Sequence, residues 1–201
     1  MRTYNLASLT KKLYNSKINF FTLRTLKDIL EINQSTSLYK IIRKLLDAGV
    51  ISKIEKNKYF LTDSQINDFA LANYIYHPSY ISFESALNFY GILSQFPYEI
   101  TSASLPKTAH KKFQDKIFSY THLQKDLFWG YEKKDDYLIA LPEKALLDQL
   151  YLFAKGYKGI NLDEYDFSKI NLQVLKRYLR QVPKTRQFKR ALQSLNQYLK
   201  L

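Results

Sequence analysis

A change of hydrophobic period at Gly49 constrains the fold of this chain more than any other feature of its sequence. Before Gly49, apolar residues recur every three or four positions over 36–48, which is typical of an amphipathic helix. After it, apolar residues alternate over 50–54 and again over 59–61, which predicts two short strands. Gly49 itself suits the left-handed position that closes a helix. A helix that leads directly into a β-hairpin is therefore predicted.

Two further helical segments precede this one. The first carries Leu6, Leu9 and Leu13 on one face. The second follows Thr22, whose hydroxyl can cap it, and Ser35 is predicted to cap the third. Three helices and a hairpin, with a short link between the second and third helices, are the layout of a winged helix-turn-helix.

The remaining chain predicts a second domain of mixed composition over 69–201, so the winged helix-turn-helix occupies 1–68. A helix stopped by Gly91 comes first. Pro142 stands where a later helix begins, and Glu143 favours the positive end of its dipole. Strands are predicted by alternation over 99–104, 116–122, 127–132 and 137–140.

The expected fold class is α+β. An N-terminal winged helix-turn-helix is followed by a mixed C-terminal domain with a small, mostly antiparallel sheet and helices. Two helices, separated by Pro183, are predicted to end the chain over about 171–199.

The charge is distributed unevenly along the 201 residues, whose formal net charge is +13. Residues 1–68 carry 12 basic and 6 acidic side chains, and residues 69–168 carry 10 and 12. Residues 169–201 carry 9 basic side chains and no acidic one. An AT-rich genome also enriches lysine, but codon bias does not empty a segment of Asp and Glu. The two basic ends therefore indicate anion-facing surfaces, with a nucleic acid as the first candidate partner.

The third helix and the hairpin turn are the best candidates for DNA contacts. Short hydroxyls and amides near the helix start suit phosphates and base edges, and basic residues follow at helical spacing. Arg43 could pair with a guanine or with a phosphate. At the turn, Asn57 is expected to take positive φ where a wing glycine is usual. The predicted DNA-binding residues are Gln34, Ser35, Thr36, Ser37, Tyr39, Lys40, Arg43, Lys44, Lys56, Asn57 and Lys58.

A second basic surface is predicted on the two C-terminal helices, docked by their leucines. It could extend the DNA footprint or engage a different anionic partner. Its residues are Lys176, Arg177, Arg180, Lys184, Arg186, Lys189 and Arg190.

Signals for an enzyme are poor, and no catalytic residue, metal or cofactor is predicted. His77, His110 and His122 do not stand at metal-ligand spacing. Asp135 and Asp136 are predicted to lie in a solvated turn. The five glycines form no phosphate-cradling loop.

The cellular compartment is expected to be the cytoplasm. The sequence has no cysteine, which excludes disulfides and thiol chemistry. No apolar run approaches the roughly 18 residues of a membrane span, and the amino end lacks a signal-peptide core.

Three segments together resemble the AbiEi family, the antitoxins and transcriptional autoregulators of type IV (AbiE abortive-infection) toxin–antitoxin systems. Residues 20–61 resemble its amino-terminal winged helix. Residues 80–91, with Tyr-Ile-Ser, Ala-Leu and Tyr-Gly, look like a second family segment. Residues 141–148, with Pro-Glu-Lys-Ala-Leu and Asp, look like a third.

The resemblance implies a repressor that binds inverted repeats in the promoter of its own operon. It also implies an antitoxin whose C-terminal domain helps to neutralise a nucleotidyltransferase-like toxin in phage abortive infection, without a stable complex. Only the third helix and the wing carry over residue by residue, and the segment 142–148 is read as structural. We expect a monomer in solution that pairs on operator DNA. The alternatives are a winged-helix adaptor for protein contacts and an RNA-binding regulator.

Overall fold

The fold is α+β, with eight α-helices and nine strands in residues 5–157 and 159–199, which the computed structural model describes. Contacts group the chain into two compact units, one ending at Asn67 and the other beginning at Asp68. None of the described helices is both long enough and apolar enough to cross a membrane.

The amino-terminal unit contains three helices and a three-stranded antiparallel sheet with the strand order β1-β3-β2. Strand β1 was not predicted, because three residues beside a helix are too short to show alternation. The elements are α1 (Leu6–Asn15), β1 (Phe20–Thr22), α2 (Leu23–Leu30), α3 (Ser35–Asp47), β2 (Ile51–Glu55) and β3 (Lys58–Leu61).

Local chemistry explains where these helices begin and end. The Thr22 hydroxyl accepts the backbone N–H of Thr25 at 3.1 Å, so the predicted cap of α2 is confirmed. The predicted cap of α3 at Ser35 is wrong. Ser35 already has helical backbone, and the carbonyl of Gln34 accepts the first helical hydrogen bond, from Leu38, at 3.0 Å. Gly49 follows α3 with φ of 68°, in the left-handed position expected for it.

One apolar core holds this unit together. It is built from the helical stripes and from the inward residues of the sheet, with Leu13, Phe21 and Leu45 fully buried. Leu6, which was placed on the same face as Leu9 and Leu13, is 37% exposed and lies outside this core. The stripe of α3 is buried as its period predicts, and its members are Leu38, Ile41, Ile42 and Leu45.

The second unit begins with short alternating elements and ends in helices. Its strands are β4 (Ser79–Ile81), β5 (Ile100–Ser104), β6 (Ala109–Phe113), β7 (Lys116–His122), β8 (Tyr131–Lys134) and β9 (Tyr137–Ala140). Its α-helices are α4 (Asp68–Ile75), α5 (Phe83–Phe89), α6 (Pro142–Ala154), α7 (Leu172–Leu179) and α8 (Arg186–Asn196). Short 3₁₀ helices lie at Lys125–Leu127, Leu162–Glu164 and Phe167–Lys169.

The sheet of this unit is larger than the small sheet expected and is mixed, although most of its pairings are antiparallel as expected. Six strands form it, in the order β6-β7-β5-β4-β9-β8. Two of its five pairings are parallel, β4 with β9 and β5 with β7. The parallel pairings join segments far apart in the sequence, so no hairpin signal announces them. The strand predicted at 127–132 is also wrong, since β8 begins only at Tyr131.

Helix α6 is the centre of the helical layer. Pro142 occupies its first turn, as predicted, and residues 143–150 are all buried. It contacts α5, α7 and α8. A helix buried on every side carries no amphipathic stripe, and its polar residues must therefore find partners inside the protein.

Candidate nucleic-acid interface

The outward side of α3 presents one continuous polar and basic face. Thr36, Tyr39, Lys40 and Arg43 are exposed at the spacing i, i+3, i+4 and i+7, opposite the buried stripe. Tyr39 keeps 54% of its surface exposed although it is a large aromatic residue. A face of this width and composition suits a helix that enters the major groove of DNA.

The amino end of α3 offers uncapped donors. Gln34, Ser35 and Thr36 are exposed, and Ser37 is half-buried. The side chain of Gln34, the residue at the cap position, accepts no hydrogen bond from the backbone of the first turn, and its Oε1 instead accepts from the Ser37 hydroxyl at 3.4 Å. The first backbone N–H groups and the helix dipole therefore favour an anion such as a phosphate here.

The basic residues of α3 are not held in strong ion pairs within the protein. Arg43 lies 3.9 Å from the Asp47 carboxylate, and both side chains are largely exposed. An exposed ion pair at that distance contributes little to stability, so the guanidinium can exchange it for another anion. Lys40 and Lys44 make no ion pair with any described residue.

The hairpin turn separates its two lysines. Lys56 and Asn57 are exposed at the tip, and Asn57 takes φ of 63°, which confirms the predicted positive value. Lys58 instead forms an ion pair with Glu55 at 2.7 Å, both partly buried. Lys56 is thus the more available cation of the turn, a difference that the sequence did not reveal.

Contacts inside the unit hold this face in place. The ammonium of Lys12 bonds Glu31 at 2.8 Å and lowers the pKa of that carboxyl, which joins α1 to the link between α2 and α3. Burial, and then the nearby Tyr39 hydroxyl, raise the pKa of Tyr59 on β3. The exposed face of α3 therefore adjoins the sheet that carries the turn.

The predicted second basic surface lies in the other unit. All seven of its residues are exposed on α7, α8 and the segment between them: Lys176, Arg177, Arg180, Lys184, Arg186, Lys189 and Arg190. Within the described residues none of them forms an ion pair with a carboxylate. The guanidinium of Arg177 lies over the Tyr178 ring at 5.6 Å. The surface is therefore an uncompensated cationic patch.

A buried polar cluster of Tyr80, Ser82, Lys144 and Asp148 was missed by sequence reasoning. Lys144 forms a short ion pair with Asp148 and donates to the Tyr80 hydroxyl at 2.8 Å. Tyr80 and Ser82 donate to Oδ2 of Asp148 at 3.0 and 2.7 Å. Burial raises the pKa of Asp148, whereas Lys144 and these hydrogen bonds oppose that shift. The cluster is closed to solvent and bonds β4 to α6.

A second buried acid extends this framework. Glu143, predicted to serve the helix dipole, accepts the backbone N–H of Asn171 at 2.8 Å. Asn171 in turn caps α7 by accepting from Gln173 and Val174. The start of α6 thereby fixes the start of the basic helix α7. The only sequence signal for the cluster was the i,i+4 spacing of Lys144 and Asp148 in an otherwise apolar helix.

The histidines and the aspartate pair that could carry enzyme chemistry do not come together in one site. His110 lies 3.9 Å from Glu99 at the surface, and His122 bonds the backbone carbonyl of Leu105 at 2.8 Å. Asp135 and Asp136 are exposed in the β8–β9 turn. In residues 5–157 and 159–199, no group of three or more potential ligands could hold a metal ion.

Comparison with known proteins assigns no family to this chain. No protein-family model matches this chain, and no curated protein matches it. The case for a function therefore rests on the residues and their geometry.

Proposed function

We propose that this protein binds DNA in a sequence-specific manner and represses its own operon. In this proposal the amino-terminal unit is a winged helix-turn-helix, with α3 in the major groove and the turn at Lys56 and Asn57 as the wing. The observation that carries it is the outward face of α3, where polar and basic side chains are exposed opposite a buried apolar stripe.

The chemistry of the face assigns different roles to its members. Arg43 has a planar fork of donors that matches guanine O6 and N7, so it is the best candidate for base readout. Lys40 and Lys44 carry point charges suited to phosphates. The uncapped start of α3 adds backbone donors for a phosphate.

The resemblance to the AbiEi antitoxins extends the proposal to the second unit. That unit would help to neutralise a nucleotidyltransferase-like toxin in phage abortive infection, in the cytoplasm and without a stable complex. The buried polar cluster supports this, because its four residues come from the two family-like segments and bond them to each other. The two segments therefore form one structural unit rather than two separate similarities.

Two copies on an inverted repeat are the proposed DNA-bound state. A protein that is a monomer in solution can acquire two-fold symmetry from a palindromic operator. Half-sites separated by about one helical turn, 10–10.5 base pairs, would place two α3 helices on the same side of the duplex.

Fluorescence anisotropy tests the DNA-binding proposal directly. The full chain is titrated against the promoter upstream of its own gene and against a scrambled duplex of equal length, at several salt concentrations. Wild type is compared with Lys40→Ala/Arg43→Ala, and with Lys107→Ala/Lys125→Ala as a control. The control removes the same charge from exposed sites in the other unit.

We expect the promoter to bind at least about a thousand times more tightly than the scramble, and only the α3 variant to lose that preference. Equal, steeply salt-dependent binding to both duplexes would refute specific recognition. RNA is added as a competitor of the promoter duplex, and tighter binding of the RNA would instead favour the RNA-regulator alternative. Absence of binding to either nucleic acid would favour the protein adaptor.

The antitoxin role needs a separate test in cells. Co-expression with the product of the neighbouring gene should restore growth if that product is the toxin. The Lys40→Ala/Arg43→Ala variant should still restore growth from a foreign promoter, because neutralisation is assigned to the second unit. Growth arrest that the wild type does not relieve would exclude this role.

A further inference from the structure

The second unit contains a cleft of about 790 Å³ that the DNA-binding proposal does not use. Its lining is acidic, although the whole chain carries a net charge of +13. Glu84, Glu99 and Glu164 all line it, and no Lys or Arg is among the described residues that do. A site of this charge repels phosphate and attracts a cation.

A buried amide adds an acceptor to these carboxylates. Gln149 lines the cleft although only 2% of its surface is exposed. Its Nε2 donates to Oε1 of Glu84 at 2.9 Å, which fixes the orientation of the amide. Its Oε1 is buried and has no hydrogen-bond partner in the described part of the chain. A buried acceptor without a donor is costly, so the site favours a ligand that brings N–H groups.

Aromatic rings form the rim of the same cleft. Phe96 and Tyr98, on either side of Pro97, are each 89% exposed. Burial, and then the charges of Glu84 and Glu164, raise the pKa of Tyr165 at the inner wall. Exposed aromatic residues beside a polar cavity are typical of protein–protein hot spots.

The rim loop is held in position from below. Nδ2 of Asn88 donates to the carbonyls of Leu93 and Gln95, both at 3.1 Å. The start of the loop is therefore anchored to the end of α5, next to Phe96. An anchored loop presents its rings at low entropic cost on binding.

We propose that this cleft binds an arginine side chain presented by a partner protein. A guanidinium supplies five donors in a planar fork, which suits acceptors spread over several walls. Its faces stack on aromatic rings, as those of Phe96 and Tyr98 allow. A metal ion fits less well, because no three potential ligands in the described residues converge on a point. The inference does not depend on DNA binding.

A set of matched peptides tests the proposal with the full chain. Fluorescein-labelled Gly-Gly-Arg-Gly-Gly is compared with peptides in which citrulline or lysine replaces the arginine. Citrulline has nearly the shape of arginine but no charge. The anionic label is common to all three peptides, and the net positive charge of the protein favours the citrulline peptide, which carries one positive charge fewer. A preference for the arginine peptide over the citrulline peptide therefore cannot come from overall electrostatics.

We expect saturable binding of the arginine peptide, at least about tenfold tighter than that of the other two. Phe96→Ala/Tyr98→Ala and Glu99→Gln should each weaken it by a similar factor. Tyr14→Ala and Glu132→Gln, which remove an exposed ring and an exposed carboxylate elsewhere, should not. Promoter binding should remain unchanged in the cleft variants, which separates this site from α3.

Equal binding of the arginine and citrulline peptides would overturn the proposal, and so would equal binding of the lysine peptide. Wild-type affinity in both cleft variants would also overturn it. The two rim residues are almost fully exposed, so their replacement leaves the core of the unit intact.

Discussion

Individual residues show how this protein handles polar groups inside its core. Lys144 and Asp148 are one turn apart on α6, and both are buried. Tyr80 on β4 and Ser82 directly after it supply the remaining hydrogen bonds, from more than 60 positions earlier in the chain. Such a network tolerates loss of any one partner poorly, because the others are left without compensation.

Breaking this buried pair should destabilise the protein in a way that depends on which partner is removed. Asp148→Asn leaves a buried ammonium without its counter-charge, and we expect a loss of about 3–5 kcal/mol. Lys144→Met should cost less at acid pH, because Asp148 can then take up a proton. Urea unfolding of both variants at pH 5 and pH 8 measures the difference.

The sign of the pH effect follows from the pKa of Asp148. Burial already raises this pKa, and removing Lys144 removes the charge that opposes the shift. A carboxyl whose folded-state pKa exceeds its unfolded-state pKa loses stabilisation as pH rises through the folded value. The Lys144→Met variant should therefore fall further below wild type at pH 8 than at pH 5. An equal deficit at both pH values would contradict this account.

Two glycines offer a matched test of crowding around the same lysine. Gly130 and Gly156 have φ of 73° and 74°, so alanine is strained at both. At Gly130 an added Cβ would lie 2.9 Å from Cγ of Lys144, whereas at Gly156 no atom of the described residues lies within 4 Å of it. We expect Gly156→Ala to cost about 1 kcal/mol and Gly130→Ala to cost about 1–3 kcal/mol more. Thermal unfolding of both variants measures these losses of stability. Equal losses in the two variants would contradict the expected crowding at Gly130.

At the scale of elements, the sequence predicted those that carry a long local pattern. Strands β7 and β9 have the predicted bounds, and the buried stripe of α3 is the predicted one. Strands β1, β4 and β6 were missed. Strands β1 and β4 have three residues each, and alternation needs a longer run, while β6 has no alternation of apolar residues in its sequence. Their place in the sheets depends on long-range register, such as Phe20 opposite Phe60.

The candidate interface shows the same limit. Helical periodicity was enough to separate the exposed face of α3 from its buried stripe, and φ at Asn57 followed from the turn pattern. The ion pair between Lys58 and Glu55 did not follow, since the register shift before Glu55 sets which side chains meet. The same holds for the partners of Lys144, which only tertiary packing brings together.

The hairpin turn should contribute to DNA binding through Lys56 more than through Lys58. Lys56→Ala removes an available cation, and we expect weaker promoter binding with a salt slope smaller by about one. Glu55→Gln should strengthen binding, because it releases Lys58 from its ion pair. Anisotropy titrations over a range of salt concentrations measure both effects. Unchanged affinity in both variants would show that the turn does not reach the phosphate backbone.

At the scale of the whole molecule, each of the two compact units carries its own exposed basic surface. Each compact unit has basic residues exposed at its surface, on α3 and the turn in one and on α7 and α8 in the other. Between them in the sequence lie the acidic cleft and the buried polar cluster. In the DNA-binding proposal both cationic surfaces can contribute to the affinity for DNA, and base readout is assigned to α3 because of its place in the helix-turn-helix layout.

The two surfaces are distinguishable by what their removal changes. Lys176→Ala/Arg177→Ala/Arg180→Ala neutralises the exposed charge of α7 and of its C-cap, where none of the three residues pairs with a described carboxylate. If this surface contacts phosphates, the triple variant should lower the affinity for promoter and scramble by the same factor, with a salt slope smaller by up to about three. The ratio of the two affinities should stay at its wild-type value, whereas Lys40→Ala/Arg43→Ala should collapse it. A triple variant with wild-type slope would assign the C-terminal surface to an anion other than DNA, and one that lost the ratio would place sequence readout outside α3.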